Sequence, residues 1–360
     1  MSLWWRVLRV FVFGLTGLLI LVTVLPIIHT NQWWIRIWDF PRLQIGTLLA
    51  LMLLVLPTMF ERRSWVSTVT ILATVAAFTW QIIRVLPYSG LVPARGPAVQ
   101  SCAPGRSLSM LNANVLTTNR DYKRLIDLVL DRDADIVLLL EPDQAWAEAI
   151  APLRERYPHQ ISEPLPNLYG LILLSKLPLD GVELRHIMLP EIPSVGGTLT
   201  LEGGASIDFY GLHPRPPVPG VDTDARDAEL VIVGREIRKS GRAAIVLGDL
   251  NDVAWSDTNR LFEEVSGMID PRIGRGFYPT FTAKYPLLRW PLDHVFYTPH
   301  FALMRMERLP DIGSDHFPLL AELCLIRDPD ERLTRKVAAP EVREDAAEAV
   351  GEGKEEVAKE

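Results

Sequence analysis

The chain has 360 residues, 44 of them acidic and 37 basic, for a formal net charge of −7. That balance excludes the broadly basic surface of a non-specific nucleic-acid binder. A mean hydropathy of +0.15 is high for a soluble enzyme, and the excess is concentrated in the first quarter of the chain.

Three apolar runs lie there, over 7–28, 43–60 and 65–86. Each approaches the roughly 20 residues that a helix needs to cross a bilayer. Trp4, Trp5, Trp33, Trp34 and Trp38 cluster near the ends of the runs, where amphipathic rings suit the interface. Arg84, near the end of the third run, can snorkel. The first run is long for a cleaved signal, and Ile28-His29-Thr30-Asn31 is a poor cleavage site. Residues 1–86 therefore read as a membrane anchor of three transmembrane helices. Arg6 and Arg9 precede the first span, and Arg62 with Arg63 fill the turn between the second and third. Cationic short loops stay in the cytoplasm. This places the N-terminus inside and everything past Leu86 on the outer side of the cytoplasmic membrane.

Residues 87–106 are rich in Pro, Gly and Ser and read as a linker. From 107 to 327 short strands and helices alternate. Strands are expected over 108–116, 135–140, 168–175, 182–188, 198–201, 207–212, 243–247, 293–297, 301–306 and 319–326. Helices are expected over 120–131, 144–156, 222–239 and 257–265. A long Gly/Pro-rich loop covers 267–288, and loops of that length in compact domains are often functional. Residues 328–360 carry Asp, Glu, Ala, Lys and Val with no aromatic side chain and read as a solvated, disordered or weakly helical tail. Cys102 and Cys324 flank the soluble part; two thiols are the simpler reading, and an oxidised pair is open to them outside the cytoplasm.

Polar residues recur where the strands begin or end. Asn114 is near the end of the first strand, Glu141 follows the run 136–140, and His213 ends the strand 207–212. Asp249 and Asn251 follow 245–248, while Asp315 and His316 sit just before the last strand. Polar groups gathered at strand ends make the usual site of an α/β protein. Carboxylates and an amide oxygen are hard ligands, fit for Mg2+ or Mn2+. The sequence contains no Cys/His zinc spacing, no G-x-S-x-G elbow and no Walker A loop. Metal-assisted attack on a phosphate ester is the chemistry that such a set suits.

Six elements then carry a resemblance: Asn114-Val115, Leu140-Glu141, His213-Pro214, Gly248-Asp249-Leu250-Asn251, Leu292-Asp293-His294 and Gly313-Ser314-Asp315-His316. Over 107–327 the chain resembles the endonuclease/exonuclease/phosphatase superfamily of DNase I-like metal-dependent phosphodiesterases, in the layout of its bacterial membrane-anchored members. The resemblance implies an α/β four-layer sandwich, two packed β-sheets with helices outside. It implies Glu141 as the principal metal ligand, with Asn114 close by and Asp315 completing the acidic cluster. Asp249 would activate water, Asn251 would bind the phosphate, and His316 would stabilise the phosphorane-like state or protonate the leaving group. Asp293 would orient His316, and His213 would be a second phosphate-facing imidazole. Arg215, in His-Pro-Arg-Pro-Pro, is a candidate phosphate contact by its fork geometry alone. Leu140 stands where a Gln often precedes the Glu. The implied activity is hydrolysis of a phosphodiester or phosphomonoester by activated water, with Mg2+ or Mn2+ as cofactor. The bilayer and a phosphoester (lipid, small molecule or nucleic acid) are the expected partners, and no partner protein is expected. A DNase-type endonuclease and a catalytically silent phosphate-binding membrane module are the alternatives.

Overall fold

A computed structural model describes residues 3–59, 65–331 and 338–359. Three of its helices are long and apolar enough to cross a membrane: Leu3–Ile27, Arg42–Met59 and Trp65–Tyr88. They contain α1 (Leu3–Val24), α3 (Arg42–Met59) and α4 (Trp65–Val85), with the short α2 (Trp33–Arg36) between the first two. Leu19 and Val22 of α1 pack on Ile45 and Leu49 of α3 and on Ala77 of α4. Inside this bundle Gln81 donates to Thr23 at 2.9 Å and accepts from Arg42 at 3.2 Å, so the polar atoms answer one another. The turn carrying Arg62 and Arg63 lies outside the described residues.

The soluble part runs β1 (Ser107–Asn114), α5 (Tyr122–Arg132), β2 (Ile136–Leu140), α6 (Gln144–Ala149), β3 (His159–Glu163), β4 (Leu171–Ser175) and β5 (Gly181–Arg185). It continues with β6 (Ser194–Thr200), β7 (Ser206–Leu212), α7 (Asp224–Ser240), β8 (Ala244–Asp249), α8 (Asp257–Ser266), β9 (Asp293–Tyr297), β10 (Phe301–Arg308), β11 (Leu319–Leu325) and α9 (Pro340–Val357). The strands form a six-stranded sheet, β10-β11-β1-β2-β4-β3, and a five-stranded sheet, β5-β6-β7-β8-β9. Leu138, Leu173, Phe209, Leu247, Val295 and Leu323 lie in the core between them. Leu125, Val129 and Trp146 cover the outer face of the first sheet, and Leu230, Ile237 and Phe262 that of the second. Strands buried on both faces read as continuous apolar runs, which is why Ile136–Leu140 has no alternation. The result is the expected four-layer α/β sandwich preceded by three apolar helices.

Strand direction decides where the polar ends meet. β1 runs parallel to β2, and β7 parallel to β8, so Asn114, Glu141, His213 and Asp249 all sit at carboxyl ends. β9 is antiparallel to β8 and pairs its first residue, Asp293, with Asp249. β11 is antiparallel to β1 and pairs Leu319 with Asn112, which brings Asp315 and His316 to that same edge. Gly248 permits the close approach: its φ is +151°, and a Cβ there would lie 1.9 Å from the Leu212 carbonyl oxygen.

Four features depart from the sequence expectations or choose among them. The helix expected over 144–156 ends at Ala149 and continues as a 3-10 turn, Ala151–Glu155, with Pro152 at its start. The strand β3 was not expected, because His-Gln-Ile-Ser-Glu at a sheet edge has no apolar alternation. The tail takes the helical one of its expected forms and is docked: α9 buries Ala346, Ala349 and Val350 against Val231 of α7 and Val265 of α8. Cys102 and Cys324 are paired as a disulfide, since Ser107 sits opposite Cys324 in the β1–β11 ladder and the chain returns from there. The stretch expected as a linker is also tied down: the Val99 amide donates to the Leu303 carbonyl and the Leu303 amide to the Pro97 carbonyl, each at 3.0 Å.

The bundle and the sandwich share a polar junction. Arg84 reaches Asp257 at 2.8 Å and the Trp255 carbonyl at 2.6 Å, where snorkelling to water was expected. Trp255 donates its indole N–H to the Asp39 carbonyl at 2.7 Å, and the buried Arg36 lies 3.4 Å from the Asp39 carboxylate. The bundle's share of this junction, Arg36, Asp39 and Arg84, comes from one end of it, the end holding residues 28–42 and 84–88.

Candidate active site

His316 is the centre of the site. Its Nδ1 lies 2.8 Å from Asp293 Oδ2, and its Nε2 lies 3.5 Å from Asp249 Oδ2. All three side chains are buried. Burial opposes a charge on the ring, but Asp249 and Asp293 outweigh it and raise His316 to about 10. The imidazole is therefore a cation near neutral pH, with Nδ1 donating to Asp293. The other oxygen of Asp293 accepts from Asn112 Nδ2 at 2.7 Å. Asn112 was missed in the sequence reading. Its signal was the spacing of two from Asn114, which puts both amides on one face of β1.

Asn114 links the second half of the site. Its Nδ2 donates to Glu141 Oε1 at 2.7 Å and to Asp249 Oδ2 at 3.2 Å, while its Oδ1 accepts from the Leu116 amide at 3.0 Å. Glu141 turns out of β2 with φ of +62°, held by its amide on the Gly170 carbonyl at 2.8 Å and by Thr117 on its own carbonyl. Burial pushes Glu141 up to about 7 against the pull of Asn114 and His316. Its Oε2 is buried without a hydrogen-bond partner among the described residues. A buried carboxylate oxygen left unpaired calls for a proton or a cation. A carboxylate oxygen is a hard donor and fits Mg2+ or Mn2+; the Asn114 amide presents its nitrogen to Glu141 here, so its oxygen would join as a ligand only with the amide turned over. Asp249, Asp293 and His316 also present one ligand atom each within 4.8 Å of one another, a group that could hold a divalent ion.

Asp249 is raised by burial, with His316 pulling the other way, and its Oδ1 accepts from the Asn251 amide at 2.9 Å. The Asn251 side-chain nitrogen donates to the Pro214 carbonyl at 2.9 Å, which ties the Gly-Asp-Leu-Asn turn to the segment after His213. His213 Nε2 lies 3.9 Å from Asp249 Oδ2. Burial lowers His213 to about 4, so this imidazole is neutral. Asp315 is half-buried at the rim, and its carbonyl accepts from Ala283 at 2.7 Å. Arg215 is paired with Glu356 of α9 at 3.0 Å. Behind the site, Arg226 donates to the Asn251 carbonyl at 3.0 Å and lies 3.3 Å from Asp252. These supports come from distant parts of the chain and carry no local pattern.

The family model described as Endonuclease/Exonuclease/phosphatase family matches residues 100–316. The chain belongs to this family. No curated protein matches it. Among solved structures, it is similar to an endonuclease/exonuclease/phosphatase family protein from Bacteroides thetaiotaomicron, with 19% identity, 60% of this chain and 97% of that one covered, and a TM-score of 0.47. The human Nocturnin catalytic domain with bound sulfate is similar at 17% identity, 61% and 94% coverage and a TM-score of 0.47. A Bacteroides thetaiotaomicron mannosyl-6-phosphatase is similar at 18% identity, 60% and 99% coverage and a TM-score of 0.46. The family fold and the acidic cluster around His316 make the chain a candidate metal-dependent phosphoesterase, and its three apolar helices support a multi-pass membrane protein.

Proposed function

We propose that this endonuclease/exonuclease/phosphatase family member is a membrane-anchored phosphoester hydrolase of the bacterial type, dependent on Mg2+ or Mn2+. The observation that carries the reading is His316 held between Asp249 and Asp293 beside a buried, unpaired Glu141 oxygen. Glu141 and Asn114 would hold the ion, with Asp315 at the rim. When bound, the ion supplies Lewis-acid polarisation of a phosphoryl oxygen. The set of Asp249, Asp293 and His316 is better suited to moving protons, because both ring nitrogens already face carboxylates and a protonated imidazole cannot ligate a metal.

The residues then divide the work. Asp249 takes a proton from water as the water oxygen bonds to phosphorus. His316, held cationic, donates to the charge that builds on the phosphoryl oxygens, and the ester P–O bond breaks as the leaving oxygen takes the Nε2 proton of His316, the ring being recharged by the proton that Asp249 took from water. Asp293, fixed by Asn112, keeps the His316 ring in one orientation. Neutral His213 and Asn251 line the phosphate side. Arg215 stands outside this scheme, because its charge is matched by Glu356.

The anchor and the disulfide favour a domain on the outer side of the cytoplasmic membrane. The deciding experiment compares hydrolysis of a small phosphodiester, a phosphomonoester and DNA by the full chain, with Mg2+ and with a chelator. Metal-dependent turnover that is lost in Glu141→Ala and in His316→Ala is expected. Turnover indifferent to chelator and to both substitutions overturns the reading.

A further inference from the structure

The long loop between α8 and β9 joins His316 to the membrane bundle. At its inner part the Phe281 ring lies 4.9 Å from the His316 ring, and Ala283 donates to the Asp315 carbonyl at 2.7 Å. At its outer part the Leu287 carbonyl accepts from Gln44 Nε2 at 2.8 Å. Trp290 stacks on Phe281 at 6.1 Å and meets Phe40 edge-on at 5.8 Å.

Gln44 fixes the depth of that outer part. It stands two residues inside α3, which begins at Arg42 and spans the apolar segment Arg42–Met59. At about 1.5 Å of rise per residue, this is about 3 Å past the start of the span. The loop tip therefore lies level with the first turn of a membrane helix, and it is apolar. Leu287 is 84% exposed, Tyr285 62% and Leu288 46%. Lys284 and Arg289 flank these residues, and Arg289 lies 4.8 Å over the Phe317 ring, next to His316. Apolar side chains with a flanking Tyr and cations, at the height of a helix end, match the water–bilayer interface in composition.

We infer that the 284–289 tip is seated in the bilayer and that the site draws its phosphoester from a lipid of that same membrane. The second half rests on the hydrolase reading. The acyl chains stay in the bilayer beside Leu287 and Leu288 while the headgroup phosphate enters between the loop and the strand ends. The same backbone that holds Phe281 against His316 meets the lipid, so the distance from the interface to the site is set by the fold.

Both halves are testable on the full chain. The two native cysteines are paired, so Leu287→Cys takes a single fluorescent label. In phosphatidylcholine–phosphatidylglycerol vesicles the label is expected to be quenched by brominated acyl chains; an unquenched label overturns the seating. For the substrate, hexadecyl 4-nitrophenyl phosphate in those vesicles is compared with methyl 4-nitrophenyl phosphate in solution, both with Mg2+. Leu287→Asp with Leu288→Asp is expected to lower turnover of the hexadecyl ester about tenfold or more and to leave the methyl ester unchanged. Equal effects on the two esters, or none, overturn the lipid assignment. Should the unsubstituted chain cleave neither ester yet cleave the phosphomonoester or DNA, the lipid source falls and the hydrolase reading stands; should it cleave none of them, both fall, and the quenching result still decides the seating.

Discussion

Asp293, at the head of β9, and His316, in the turn before β11, face each other, Oδ2 to Nδ1 at 2.8 Å, and the remaining oxygen of Asp293 is held by Asn112 at 2.7 Å. The carboxylate therefore both orients the ring and sustains its charge. Asp293→Asn can still accept a hydrogen bond but loses the charge. It is expected to lower kcat about 10- to 100-fold with little change in KM, because the lost interaction matters most as charge develops on the phosphate. In a double-mutant cycle His316→Ala should mask it. Losses that simply add would make Asp293 a structural residue. Asn112→Ala should give a smaller loss of the same kind, read in the same assay.

Glu141 is expected to matter through the metal. Among the described residues its buried Oε2 has no hydrogen-bond partner, and Asn114 donates to the other oxygen. Glu141→Gln keeps the size and removes the charge. Calorimetric titration with Mg2+ or Mn2+ should show affinity weakened by about tenfold or more, and turnover should drop by about 100-fold or more. Unchanged metal affinity would place the ion elsewhere, with Asp249, Asp293 and His316 the next group to test.

The fold was legible where burial is two-sided. Ile136–Leu140, Leu171–Ser175 and Ala244–Asp249 are apolar runs with polar residues at or just past their ends, so strand and site position are read together. What stayed hidden is either locally featureless or depends on distant partners. The strand His159–Glu163 has one large apolar residue, and α9 buries mostly small ones, Ala346, Ala349 and Gly353 beside Val350. Asn112 is a polar residue inside a strand, and its partner lies 181 positions away. Cys102 and Cys324 are separated by 222 positions, and the junction of Arg84 with Asp257 by a comparable stretch.

The disulfide and the charge bias point to the same side of the membrane. Thiol alkylation of unfolded chain is expected to find no free cysteine until a reductant is added. A reporter fused after Lys359 should behave as exported, given Arg6 and Arg9 before the first span. Cytoplasmic reporter activity with all three spans intact would reverse the orientation. Cys324→Ser is expected to lower the stability of the sandwich by about 2–5 kcal/mol, measured by thermal unfolding in detergent.

Glu229 gives a pH dependence away from the site. It is buried in α7, and burial raises it from 4.5 to about 8 against the pull of Arg185. The folded chain therefore keeps a proton that the unfolded chain releases across that window. Stability falls as pH rises through it, by about 1.4 kcal/mol for each unit of the shift at most. Glu263, also raised to about 8 by burial, acts in the same sense. Thermal unfolding should show a Tm that declines from pH 5 to pH 9, and Glu229→Gln should flatten the decline. An unchanged slope in Glu229→Gln would show that this carboxyl is not desolvated in the folded state.

The last prediction concerns α9, where two glycines two positions apart behave differently. At Gly353 a Cβ would lie 2.4 Å from the Ala228 Cβ and 2.7 Å from the Asp224 carbonyl oxygen, both on α7. At Gly351 a Cβ would meet nothing within 4 Å. Gly353→Val must therefore push α9 away from α7, at a cost of about 1–3 kcal/mol for the overpacked contact. Displacement also uncovers Ala346, Ala349 and Val350 and strains the ion pair of Glu356 with Arg215. Gly351→Ala leaves the contact intact and raises helix propensity, which favours the docked helix by up to about 1 kcal/mol. Limited proteolysis should then cut Gly353→Val within 338–359 faster than the unsubstituted chain, and Gly351→Ala no faster. If Gly353→Val resists cleavage as the unsubstituted chain does, α9 is not held by this close approach to α7.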